Sequence, residues 1–329
     1  MKKVWISLGV GAILLTGCAA QSEATAIPST AESPTKKKEG AKTMTDQAES
    51  IVQALLHGKI GEVYEQTSPS FKQQVSKTQF VEGYTAFSSG LKSWNQHSHT
   101  SVNGSYYGTW VDQDAKRGLV LTTDEKGIIT GVLLKPLQNY PDTDNALTKL
   151  AYSAPFTGEW YVFWGGQNVL SNYHYEVESQ RYAYDLIQVK DGLSYKGDPA
   201  KNESYFAFGQ EIHAPQAGTV VHVVHDLKDN VPVGAMNSQQ PAGNVVILDH
   251  GNGEFSYFAH LKEGSAKVKV GDRVEKGDLL GLCGNSGNSS EPHLHYQVSD
   301  GKDLFHSKSI RVQWENGLNP RQGESITAK

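Results

Sequence analysis

From Met44 onward apolar residues return every three or four positions, at Ala48, Ile51, Val52, Leu55 and Leu56. That period predicts an amphipathic helix, with Asp46 as its cap. Gly58 and Gly61 interrupt it, and shorter helical pieces follow through Val75, Phe80 and Leu91. The pattern then changes to three strand-like runs, at 108–111, 118–122 and 128–134, joined by Asp/Gly turns. Helices followed by a meander predict a small α+β domain over residues 44–138, a binding or spacer module. His97 and His99 read as surface histidines flanking a loop. A polar, turn-rich stretch at 139–145 opens a linker, 139–155. Beyond it, over 156–323, runs rich in β-branched and aromatic residues recur at 160–164, 218–224, 244–248 and 255–258. Gly, Asn, Asp or Pro separate most of them, which predicts a mainly antiparallel β domain, a sandwich or barrel.

The first 43 residues follow neither pattern. Lys2 and Lys3 precede an apolar run, 4–15, too short for a comfortable membrane span, and Leu15-Thr-Gly-Cys18 follows. Residues 1–17 resemble a bacterial lipoprotein signal peptide. The resemblance implies lipidation of Cys18 and an extracytoplasmic protein anchored to the cell membrane. Residues 18–43 are mostly Ala, Ser, Thr, Pro, Glu and Lys, too polar to bury a core, and read as a tether. The net charge is −5 over 329 residues, and loss of Lys2 and Lys3 makes it more acidic. That balance argues against nucleic acid as a partner. With Cys18 committed to lipid, Cys283 has no disulfide partner; in an apolar run it reads as a buried, inert thiol.

The candidate chemistry lies near the C-terminus. Glu291-Pro-His-Leu-His-Tyr-Gln-Val298 sets His293 and His295 two residues apart on a strand-like run, so both rings address one face. Asp185 in Arg181-Tyr-Ala-Tyr-Asp185 and His260 in Tyr257-Phe-Ala-His260 complete three imidazoles and a carboxylate. Such a set on strand-turn-strand scaffolding points to a zinc hydrolase.

Five motifs occur in a fixed order: Ala214-Pro-Gln-Ala-Gly-Thr-Val-Val221, Asn244-Val-Val-Ile-Leu-Asp-His-Gly251, Tyr257-Phe-Ala-His-Leu261, Val270-Gly-Asp-Arg-Val-Glu-Lys-Gly277, and the segment 284–296 with its His-Leu-His. Together they resemble the lysostaphin-type (LytM-like) zinc endopeptidases, over residues 172–298. The resemblance implies an antiparallel β groove that cleaves peptide bonds of peptidoglycan. It also implies one zinc ion held by Asp185 and His295, with His260 and His293 as unligated imidazoles assisting a water. The first domain similarly resembles a small domain of unknown function that precedes some cell-wall peptidases.

One position departs from the pattern. The family's first zinc histidine stands four residues before the aspartate, where this chain has Arg181, and a guanidinium has no lone pair for a metal. His174, eleven residues before Asp185, is the substitute third ligand, with 176–180 as a loop that delivers it; the alternative is a two-ligand site with weak or no metal. Glu176 and Glu178 are outside candidates. Tyr173, Tyr175, Tyr182 and Tyr184 either line a groove or pack the core. The competing functional reading is a metal-free domain that binds the wall or regulates another hydrolase, and a regulatory protein partner stays open in either case. The hairpin at 270–277 also occurs in biotinyl and lipoyl carriers, but this chain lacks their Met-Lys turn.

Overall fold

The computed structural model describes residues 43–328, so the signal segment, Cys18 and the tether up to residue 42 lie outside the described residues. Four helices come first: α1 (Met44–Leu56), α2 (Ile60–Glu65), α3 (Pro69–Gln74) and α4 (Lys77–Phe87). Thr43, not Asp46, caps α1. Its hydroxyl accepts from Asp46 N, while the Asp46 side chain reaches back to Thr43 N, a reciprocal capping box.

A four-stranded antiparallel sheet follows: β1 (Trp94–Val102), β2 (Ser105–Asp112), β3 (Arg117–Thr123) and β4 (Ile129–Pro136). The helices cover one face, burying Ile51, Val52, Leu55, Val63, Trp110 and Leu121 in a core of their own. β1 is the strand that the sequence hides. Its buried positions Ser98 and Thr100 are polar because they bond to Thr109, Gln322 and Tyr161 rather than to an apolar neighbour. His97 and His99 therefore stand on a strand and do not flank a loop.

The stretch 139–155 is not a plain linker. It holds a short helix, α5 (Pro141–Asp144), and β5 (Leu147–Tyr152). The regular structure beyond it is mainly strand, set between long loops: β6 (Gly158–Trp164), β7 (Tyr184–Ile187), β8 (Glu211–His213), β9 (Gly218–Val224), β10 (Asn244–Asp249), β11 (Phe255–Leu261), β12 (Arg273–Val274), β13 (Leu279–Leu282), β14 (Leu294–Ser299), β15 (Ser309–Trp314) and β16 (Ser325–Ala328). The main sheet runs β12-β9-β10-β11-β14-β7-β6-β16, with β15 on β14 and β5 parallel to β15. Since β16 pairs with β6, this sheet extends past residue 323. No helix among the described residues is long and apolar enough to cross a membrane.

Alternation along the strands divides the main sheet into two faces. Leu186, Val246, Leu248, Phe258, Leu294, Tyr296 and Val298 enter the larger core, with Trp160, Trp314 and Cys283. Asp185, His295, Ala259, Ile247 and Val245 point the other way. Burial pushes the Cys283 thiol well above its usual range, as an inert core cysteine requires.

Glu254, 1% exposed, explains how β5 is held. Its carboxylate accepts from Lys149 N, Leu150 N and Tyr152 Oη, two backbone donors and a phenol. Glu254→Ala removes the acceptor that these donors share, one of them the buried Tyr152 hydroxyl, and should cost about 3 kcal/mol. Denaturant unfolding checks this; a loss under about 0.5 kcal/mol, the size of an ordinary surface effect, would show that water satisfies them.

Candidate metal centre

The site is built on two facing strands. In the β14·β7 register His295 lies opposite Asp185, and in β11·β14 Ala259 lies opposite His295. Cross-strand partners on one face approach within side-chain reach, and here His295 Nδ1 is 3.0 Å from Asp185 Oδ1. His293, just ahead of β14, brings Nε2 to 3.7 Å from the same oxygen.

His260 should by alternation enter the core, because Ala259 before it faces the site. Two features re-aim it. The β10·β11 register skips a residue between Asn244 and Val246, a bulge, and His260 adopts φ 61°. Its ring then lies tilted beside His293, with centroids 4.6 Å apart.

His174 arrives on a 3-10 turn, Tyr173–Glu176, within the loop between β6 and β7. It is 2% exposed, and Nε2 is 3.6 Å from Asp185 Oδ2. Donor atoms of His174, Asp185 and His295 all lie within 4.8 Å of one another. Asn172 shapes this turn. Its Oδ1 takes His174 N and faces His174 Nδ1 at 2.9 Å, while Nδ2 donates to Gly166 O, Arg181 O and Ala183 O. Arg181 faces away from the centre: its guanidinium lies 3.5 Å from the Tyr140 ring centroid, and Nε donates to Tyr175 O. It braces the loop instead.

The hydrogen bonds fix the tautomers. Carbonyls of Ser286 and Glu291 sit 2.8 Å from His260 Nδ1 and His293 Nδ1, so both nitrogens carry hydrogen and both Nε2 atoms keep a lone pair. Gln297 Nε2 donates to Ser179 O and Ser299 Oγ, which turns Oε1 towards His295 Nε2 at 3.1 Å. His295 therefore donates from Nε2, and its Nδ1 lone pair opposes the Asp185 carboxylate. Two lone pairs 3.0 Å apart require a cation between them, a proton or a metal. The residues present fit zinc, which takes imidazole nitrogen and carboxylate oxygen.

Other candidates fall elsewhere. Glu176 pairs with Lys135 and Glu178 with Lys308, both at the surface. Tyr175, Tyr182 and Tyr184 are buried packing residues, whereas Tyr173, 48% exposed, donates its hydroxyl to Asp185 Oδ2 at 3.2 Å. Asn172 and Gln297 escape sequence reading because amides carry no metal-ligand signal; only their position beside a histidine hints at them.

Residues 204–307 match the sequence model described as peptidase family M23. This chain carries an M23 peptidase domain. An uncharacterized metalloprotease of Buchnera aphidicola is 38% identical over 85 residues, 26% of this chain and 22% of its own length. The peptidoglycan DD-endopeptidase ShyA of Vibrio cholerae is 42% identical over 57 residues, 17% of this chain and 13% of that protein. The chain thus spans less than a quarter of the curated relatives it matches. Among solved structures, lysostaphin from Staphylococcus simulans aligns at 19% identity and a TM-score of 0.29, covering 49% of this chain and 52% of lysostaphin. His174 and Asp185 lie upstream of the matched M23 residues, and His260, His293 and His295 lie within them.

Burial pushes His174 down to about 3, and burial with the charges of His293 and His295 holds His260 well below its usual value. Burial opposes the charge on His295, but the Asp185 bond raises it. Asp185 is held well below the carboxylate range; burial opposes this, and the neighbouring imidazoles His174, His293 and His295 outweigh it. Unfolded histidines take protons near pH 6.5, and native His174 and His260 do not. Acid therefore favours the unfolded chain from about pH 6.5 downward. His295 works in the opposite sense: its contribution is full below 6.5 and fades as pH rises through its raised value. Asp185 withdraws support only below about pH 4. The two depressed histidines outnumber His295, so the urea midpoint of metal-free protein should fall between pH 7 and pH 5. An unchanged or rising midpoint would contradict the neutral assignment.

Proposed function

We propose that this chain is a zinc-dependent endopeptidase that hydrolyses peptide bonds of bacterial peptidoglycan, anchored outside the cytoplasm by lipid on Cys18. One observation carries the catalytic part: His174 Nε2, Asp185 and the His295 Nδ1 lone pair converge at one point, with two further imidazoles beside it. Relatives named peptidoglycan DD-endopeptidases support peptidoglycan as the substrate class.

His174, Asp185 and His295 would hold the ion. When bound, zinc supplies Lewis acidity, polarising the scissile carbonyl and acidifying the attacking water. The chain supplies the proton handling. His293 offers Nε2, 3.7 Å from Asp185 Oδ1, as the proton acceptor. His260, kept neutral by burial, offers Nε2 as an acceptor that orients the water. Ser286 O and Glu291 O hold the two rings in place through their Nδ1 hydrogens. The bracing role of Arg181 and the nearness of His174 to Asp185 and His295 support this reading over a metal-free regulatory one.

Asp185→Ala and His295→Ala should each abolish zinc retention and lysis of peptidoglycan. His293→Ala should keep zinc and lose about 10²–10⁴-fold in rate. Zinc per chain by elemental analysis, beside turbidity of wall preparations with and without chelator, reads both; lysis by either ligand variant would end the proposal.

The anchoring part rests on residues 1–18. Cys18→Ala should release the protein from the membrane fraction and abolish incorporation of labelled fatty acid. Unchanged membrane retention and labelling would exclude Cys18 as the lipidated residue.

A further inference from the structure

The loop that carries His174 has two ends, and the N-terminal module grips both. Before the turn, Leu170 is 1% exposed and its methyls press on the backbone of Gly118 in β3: a Cβ there would lie 2.7 Å from Leu170 Cδ1. Tyr107 of β2 donates its hydroxyl to Leu170 O at 2.9 Å, and its ring meets Trp164 edge-on at 5.3 Å. His97 of β1 faces Ser171 Oγ at 3.4 Å. After the turn, Lys135 of β4 pairs with Glu176 at 2.7 Å. An aromatic file, Tyr107 to Trp164 to Tyr173 to His174, runs from the module to the site, the last two rings 3.9 Å apart.

We propose that the N-terminal module is a clamp on the loop 165–176, and that Tyr107, Gly118 and Leu170 are positioning residues for His174. The loop replaces a ligand that would otherwise ride on the same segment as Asp185. A histidine eleven residues away depends on how its loop is held: Asn172 and Arg181 tie the loop to its own segment, and the module's contacts hold it from outside. β1, β2, β3 and β4 each supply one contact to the near side or the end. The module therefore belongs to the metal centre's support, beyond a spacer role.

The test uses the whole extracytoplasmic chain. Tyr107→Phe removes the hydroxyl bond but keeps the ring on Trp164, and Leu170→Ala empties the contact with Gly118. Lys59→Ala, at an exposed position just ahead of α2, is the control. Amide exchange over 165–176 should accelerate in both loop variants and stay unchanged in the control. Zinc affinity, measured by competition with a chelating dye, should weaken about tenfold or more, as for other residues that orient a ligand. Should Leu170→Ala unfold, Tyr107→Phe decides alone. Unchanged exchange in Tyr107→Phe overturns the clamp, as does faster exchange with zinc affinity within about twofold of the parent. The zinc arm rests on the endopeptidase reading above. A parent chain that takes up no zinc refutes that reading, and loop exchange then judges the clamp by itself.

Discussion

Asp185 Oδ1 and His295 Nδ1 are forced together by the register of two adjacent strands, and neither has another place to go. Gln297 occupies the only hydrogen that a neutral His295 can offer, and Gln297 is itself pinned by Ser179 and Ser299. The centre is thus short of positive charge by construction. The Tyr173 hydroxyl donates to the second oxygen of Asp185, while the nitrogen of neutral His174 adds one more lone pair for a cation to meet.

The residues that read clearly from the chain are those whose geometry follows from strand periodicity. His295 sits on β14 with His293 just ahead of it, and the order of the surrounding motifs carries Asp185 and His260. The fold class followed for the same reason, since 3.6-residue and two-residue periods separate the helical start from the strands beyond it. Three things were hidden, each because a distant residue decides it. β1 looks polar because its buried side chains bond to Gln322 and Tyr161. β5 looks like linker because Glu254, about a hundred residues on, receives its backbone. Asn172 and Gln297 look like ordinary polar residues until the turn and the strand place them behind histidines.

Arg181 shows how one exchange reorganises a neighbourhood. A guanidinium at that position cannot ligate a cation, yet it stacks on Tyr140 and holds Tyr175 O, closing the loop that brings His174 inward. The same residue that removes one donor stabilises the path for another. The loop's backbone lies against the sheet of the first module, through Tyr107 and Gly118.

The single skipped pairing at His260 acts as a phase shift in an otherwise regular weave. Restoring the regular count by adding one residue to β10 would return this imidazole to the side of Phe258 and turn Leu261 out of the core. Swapping β11 alone into a related scaffold would do the same unless its neighbour travelled with it. The two strands are therefore one inheritable and transplantable piece, and the unit of redesign for this centre is the ribbon rather than the residue.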